Sequence, residues 1–211
     1  GLCPFYFYTR IKIKMDKVSV AIALGTIGSS VGNYIATRIG KNHYEQQECK
    51  TDVFDVGHKL VPQYDVPWYI HEGYSHVWIP VLMSLPWTLS TKIAFAVSIR
   101  FVALLALRAI TNVVTVLPKS EPCDSDEFSL RTLLSGQCYD KVFSGHTAFA
   151  VLVSLAFVTY GIWPLWGGWL YSMGMAILLL ITRGHYTVDI VLGAAFAYLS
   201  WHCNLPFMNR A

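Results

Sequence analysis

The chain has 211 residues, of which 54% are hydrophobic and 14% charged, and its formal net charge is +3. Soluble domains carry about 25% charged residues, so this composition lacks the polar surface a soluble fold needs and indicates a membrane protein. The charge is small and no basic stripe interleaved with aromatics appears, so nucleic acid is not an expected partner.

The opening GLCPFYFYTRIKIK is aromatic and then basic, the reverse of a signal peptide. Residues 1–16 read as an N-terminal tail, with Met15 a candidate internal start. A bilayer-spanning helix requires about 20 mostly apolar residues. Six segments approach that length: 17–37, 74–90, 92–113, 147–162, 164–182 and 188–203. The first is rich in Gly and Ser, which suits close helix packing in lipid. The second is interrupted by Pro80 and Pro86, and Pro164 marks a tight turn between the fourth and fifth. No internal repeat or low-complexity tract appears. The expected fold is an all-α polytopic membrane protein, a six-transmembrane-helix bundle over residues 17–203 with a short tail at 204–211.

Six crossings place both termini on one side and the loops 38–73, 114–146 and 183–187 on the other. The stretches FSGHT (143–147) and HYTVD (185–189) then share a membrane face. Twelve of the 13 acidic residues lie on that face, Asp16 being the exception. Arg10, Lys12, Lys14 and Lys17 favour cytosolic termini by the positive-inside rule. Arg38, Lys41, Lys50, Lys59, Lys119, Arg131 and Lys141 on the other side weigh against it. The expectation is cytosolic termini with a lumenal or exoplasmic site, in the Golgi, the endoplasmic reticulum or the plasma membrane. Of the five cysteines, Cys123 and Cys138 bracket a single site-side loop. A disulfide between them suits an oxidising lumen; reduced thiols fit the same pattern, and sequence does not settle pairing.

In HYTVD, His185 and Asp189 are four residues apart, a spacing that puts both side chains on one face of a helix. A carboxylate there holds one imidazole nitrogen and presents the other as nucleophile or base. An interfacial histidine bonded to its neighbours has the same spacing. In FSGHT, Ser144 is a good N-cap, Gly145 permits close backbone approach, and the amides of a helix start favour phosphate. His146 would there face a phosphoryl oxygen and deliver a proton; an ordinary capped helix with a surface histidine also fits. Arg108, at the end of the third span, and Arg183, beside His185, complete the group, although Arg108 can instead snorkel to the interface. Arg100 lies deeper and reads as a packing or bundle-interior residue. Two histidines and a carboxylate also form a common metal-ligand set, but the Ser-Gly ahead of His146 is phosphate chemistry, and no HExxH or Cys/His cluster accompanies it.

CYDKVFSGHT (138–147) and HYTVDIV (185–191) resemble the histidine motifs of the membrane lipid phosphatases, the type-2 phosphatidic acid phosphatase superfamily. The finer resemblance is to its sphingomyelin synthase branch, which includes ceramide phosphoethanolamine and inositol phosphorylceramide synthases. RAITNVVTVLP (108–118) and, more weakly, DVFDVGHKLVP (52–62) extend it, so that it covers about residues 50–203. Tyr139 departs from the glycine of the branch motif, and the lysine–arginine motif of the wider superfamily is reduced to Arg108 and its surroundings.

The resemblance implies a six-span enzyme that moves a phospholipid head group, phosphocholine or a related one, from a glycerophospholipid to ceramide and releases diacylglycerol. His185 would be the nucleophile, forming a phosphohistidine, with Asp189 orienting it. His146 would protonate the leaving diacylglycerol oxygen and then act as base toward the acceptor hydroxyl. Arg108, Ser144, Gly145, Thr147, Arg183 and Tyr186 are the corresponding candidates for phosphate and substrate binding. Neither a cofactor nor a metal is implied; the partners are membrane lipids, and a homo-oligomer stays open. Glu121, Asp124, Asp126 and Glu127 are candidate contacts for a cationic head group, or simply a solvated acidic loop. The rival functions are hydrolysis at the same site with water as acceptor, head-group exchange onto diacylglycerol, and a non-enzymatic lipid-binding scaffold.

Overall fold

The computed structural model describes residues 4–46, 53–118 and 141–203, with side chains from residue 19 onward except at 43 and 68. Among the described residues the fold is all-helical. In chain order the elements are α1 (Pro4–Glu45), α2 (Val56–Leu60), α3 (Trp68–Ser75), α4 (Trp78–Ser84), α5 (Trp87–Val114), α6 (Gly145–Thr159), α7 (Leu165–Ile181) and α8 (Thr187–His202). Cys123 and Cys138, with Glu121, Asp124, Asp126 and Glu127, lie outside the described residues. Cys203 is an exposed free thiol.

Among the described residues, two helices are long and apolar enough to cross a membrane, at Ser19–Asn42 and Trp87–Val114. Two shorter apolar helices, Gly145–Thr159 and Leu165–Ile181, accompany them. A 15-residue helix such as α6 is about 22 Å long against a hydrocarbon core of about 30 Å. FSGHT straddles its start: Ser144 is the N-cap, and Gly145, His146 and Thr147 form the first turn.

Residues 4–16, read above as part of a tail, are helical and continuous with α1. One element differs from the sequence expectation. The segment 74–90 is not one helix: it breaks at His76–Val77 and again at Leu85–Pro86. Pro80 stands in the first turn of α4, where its missing N–H costs nothing, and Pro86 is the N-cap of α5. The prolines thus begin helices here, and α5 takes over the residues from Trp87 onward.

α6 is the central helix, packed against α5, α7 and α8, while α1 packs along α5. Ala148, Leu152, Val153, Ala156 and Phe157 of α6 meet Met175 and Leu179 of α7 and Ala197 of α8 in a fully enclosed core. Polar side chains stitch the helices inside this apolar frame. Asn33 of α1 donates to the Leu105 carbonyl at 2.8 Å, and Ser154 of α6 donates to the Gly168 carbonyl at 2.9 Å. Buried Arg100 donates to the Ser200 carbonyl at 3.1 Å and lies 4.6 Å over the Trp201 ring, so it ties α5 to the end of α8. The outward faces are apolar: Leu24, Ile27 and Ile35 on α1, and Trp166, Trp169 and Ile177 on α7, are all exposed. Apolar exposure along the outer faces of both helices suits a lipid environment.

Candidate active site

The start of α6 meets the start of α8. Ser144 caps α6: its hydroxyl accepts from the Thr147 amide at 3.2 Å and from the Thr147 hydroxyl at 3.0 Å. The Ser144 amide in turn donates to the Asp189 carbonyl at 2.9 Å. This contact depends on Gly193, one turn beyond Asp189 in α8, where a Cβ would lie 2.5 Å from the Ser144 carbonyl oxygen. The carbonyl of Ser144 receives the Ala148 amide. Helix geometry leaves the amides of Gly145 and His146 without intrahelical partners, which makes this end of α6 an anion-binding position.

Arg108 reaches the same place from α5. Its Nε donates to the Phe143 carbonyl at 3.1 Å, and its guanidinium runs beside Gly145, where a Cβ would sit 3.1 Å from Nη1. Arg108, Ser144, Gly145 and Thr147, separate in sequence, therefore form one buried cluster. The snorkelling alternative for Arg108 does not describe a side chain that is 9% exposed.

His185 donates from Nδ1 to Asp189 Oδ2 at 3.3 Å, and the same oxygen accepts the Tyr186 amide at 3.0 Å. The pairing arises differently from the expected helix face. α8 begins at Thr187, so His185 precedes the helix and Asp189 is the third residue inside it. There the carboxylate also serves the N-terminal amide and the positive end of the helix dipole. Asp189 is fully buried and His185 is 5% exposed. Burial pushes the His185 imidazole well below the usual histidine range, and the positive charges of Lys141 and Arg108 push it the same way. The ring is thus neutral at rest, with Nδ1 committed to Asp189 and the Nε2 lone pair free of a proton.

A scaffold around HYTVD holds the loop in place. Asp55 caps α2 by accepting the His58 amide at 2.9 Å, and it also accepts the Thr187 hydroxyl at 2.7 Å and the Thr187 amide at 2.8 Å. Burial alone would raise the Asp55 carboxyl; the hydrogen bonds from Thr187 and His58 outweigh it and leave the group below its ordinary value. His58 Nε2 donates to the His185 carbonyl at 3.0 Å, and its ring lies 5.2 Å from that of Tyr186. Lys141 donates to the Gly184 carbonyl. Arg183 has a positive φ of 55° and directs Nη2 to the carbonyls of His58 and Val61, at 2.8 and 2.9 Å. Its guanidinium therefore clamps α2 to the loop. Tyr186 sends its hydroxyl to the Pro118 carbonyl at 3.2 Å.

His146 has a carboxylate neighbour too. Its Nε2 is 3.5 Å from Glu72 Oε1, and His71 Nδ1 is 3.6 Å from the same oxygen. The His71 and His146 rings meet edge-on at 4.6 Å. α3 is held at this position through Tyr171 of α7, whose hydroxyl donates to the Ser75 carbonyl at 2.8 Å, and Tyr74, whose hydroxyl donates to the Tyr171 carbonyl at 3.1 Å.

Sequence reasoning singled out His146, His185, Asp189, Arg108 and the SGHT residues, and these converge. It did not single out Asp55, His58, Glu72, His71 or Lys141. Glu72 had one legible signal, the acid–base pair HE ahead of an apolar segment; Asp55 and His58 lay within a stretch noted only as a weak resemblance.

A buried neutral imidazole oriented by a carboxylate, beside a second histidine, an arginine and a helix start, can attack phosphorus and stabilise the developing charge. Fold and site thus define an all-helical frame with a histidine–carboxylate pair at a helix start, an arrangement suited to phosphate-ester chemistry. Residues 137–205 match the family model described as PAP2 superfamily C-terminal. That match supports the type-2 phosphatidic acid phosphatase superfamily, whose members are enzymes acting on phosphate esters and are typically membrane-associated. No curated protein gives a significant match to the chain.

Proposed function

We propose that the chain is a lipid head-group transferase that moves phosphocholine, or a related phospho-head group, from a glycerophospholipid to ceramide. His185 Nε2 attacks the phosphorus and forms a phosphoramidate bond. His146 gives a proton to the leaving diacylglycerol oxygen, later takes one from the ceramide hydroxyl, and that oxygen then displaces His185. Asp189 stabilises the imidazolium character that His185 acquires on phosphorylation. Arg108 and the amides of Gly145 and His146 bind the phosphoryl oxygens, and Glu72 orients His146. Thr147 supports the Ser144 cap, while Tyr186 and Arg183 hold the loop that carries His185. The observation that carries this reading is the Asp189–His185 contact, which engages Nδ1 and leaves Nε2 for attack on phosphorus. The sphingomyelin synthase-like motifs support ceramide as acceptor.

The proposal includes six crossings over residues 17–203, with the α3–α4 segment completing the second. It includes cytosolic termini, and a site facing the lumen or the cell exterior. A homo-oligomer is compatible with it.

The test incubates purified protein with fluorescent ceramide and, separately, phosphatidylcholine, phosphatidylethanolamine or phosphatidylinositol. A head-group-bearing ceramide product is expected, and its donor identifies the head group. Release of phosphate or phosphocholine without a lipid product would instead establish hydrolysis, the second reading, which the phosphatase-superfamily match favours. His185→Ala is expected to abolish either activity in a folded protein.

A further inference from the structure

His71, Glu72 and His146 bring two imidazole nitrogens and a carboxylate oxygen within 4.8 Å of one another. Zinc bonded at about 2.0–2.1 Å in a tetrahedron places adjacent ligand atoms about 3.4 Å apart. The separations from Glu72 Oε1, 3.5 Å to His146 Nε2 and 3.6 Å to His71 Nδ1, are close to that edge. His71 also buries its Nε2 without a hydrogen-bond partner. No hydrogen bond from Nε2 fixes the tautomer, so Nδ1, the nitrogen facing Glu72, can present its lone pair to an ion. Two imidazoles and one carboxylate suit Zn²⁺ and neighbouring transition ions rather than Mg²⁺ or Ca²⁺, which prefer all-oxygen shells.

We propose that His71, Glu72 and His146 form a site for a Zn²⁺-type ion, and that the ion inhibits the enzyme. Both imidazoles supply lone pairs and Glu72 supplies a carboxylate oxygen, leaving a fourth position for water or an anion. An ion seated there takes the nitrogen of His146 that faces Glu72 and removes the residue from proton transfer. The inhibitory half rests on the role proposed above for His146; the binding half does not.

The test uses the full chain in detergent with Co²⁺ as spectroscopic probe and Zn²⁺ as competitor. Wild-type protein is expected to show visible ligand-field bands of a four-coordinate Co²⁺ site, displaced by one equivalent of Zn²⁺. His71→Ala, His71→Gln and Glu72→Gln are each expected to weaken Zn²⁺ binding at least about 10-fold, while His185→Ala leaves it unchanged. In the lipid assay, Zn²⁺ is expected to stop turnover reversibly on chelation, and the His71 variants to require correspondingly more of it. Zn²⁺ binding that resists all three substitutions, or turnover that saturating Zn²⁺ does not lower, overturns the proposal. A chain that binds Zn²⁺ as described but converts no lipid removes the function proposed above and leaves the metal site standing.

Discussion

The Ser144 amide and the Asp189 carbonyl are 2.9 Å apart, and this one bond joins the phosphate-binding end of α6 to the carboxylate end of α8. The approach is possible because position 193 has no side chain. Gly193→Ala would place a Cβ against backbone that cannot rotate away, so the two helix starts must separate. Overpacking of this kind costs about 1–3 kcal/mol. The expected result is a lower melting temperature in detergent together with a steep loss of turnover. Unchanged melting and turnover would show that the helices are not this close.

Asp189→Asn retains the shape of the carboxylate and removes its charge. The amide can still accept the Tyr186 amide, so the helix start survives. It can also present its NH₂ to His185 and fix the wrong tautomer. By analogy with the orienting carboxylate of catalytic triads, a loss of turnover of about 10²- to 10⁴-fold is expected, with melting nearly unaffected. Turnover within a factor of a few of the parent would remove Asp189 from its orienting role.

The apolar runs and the two histidine motifs were legible because each is local: a span is a length of oily residues, and SGHT and HYTVD each place their groups within five positions. Ser144 as N-cap and the contact of His185 with Asp189 were readable on that ground. The helix that begins only after Tyr186 was not, since i, i+4 spacing is the same on a helix and across its first turn. Asp55 and Glu72 were hidden for another reason. Asp55 meets Thr187 and Glu72 meets His146 only after the chain has folded back, and neither partner carries a mark of the other. The break in 74–90 followed from Pro80 and Pro86, but their role as helix starts depended on where α5 takes over.

Asp55 offers a test of positioning without touching the reacting groups. Asp55→Ala removes the acceptor for Thr187 Oγ1, Thr187 N and His58 N at once, leaving polar groups unsatisfied at a cost of about 1–3 kcal/mol. The loop bearing His185 should loosen, so that turnover falls more than apparent substrate affinity. Asp55→Asn keeps one acceptor oxygen and should recover part of both stability and turnover. Equal stability and turnover in the two variants would show that the bridge does not set His185.

The depressed His185 imidazole makes a pH prediction whose sign is fixed. The unfolded histidine takes up its proton near 6.5, while the folded one does so only at lower pH. Between these values the unfolded state binds more protons, so stability rises with pH there and levels off above about 6.5. Acidification from pH 7 should therefore lower the melting temperature, and His185→Gln should flatten that dependence. The same neutrality keeps the nucleophile competent, so the acid limb of kcat/KM should fall below pH 6.5. An acid limb of kcat/KM at or above 6.5, or a melting profile whose pH dependence His185→Gln leaves unchanged, would mean that burial does not hold this ring neutral.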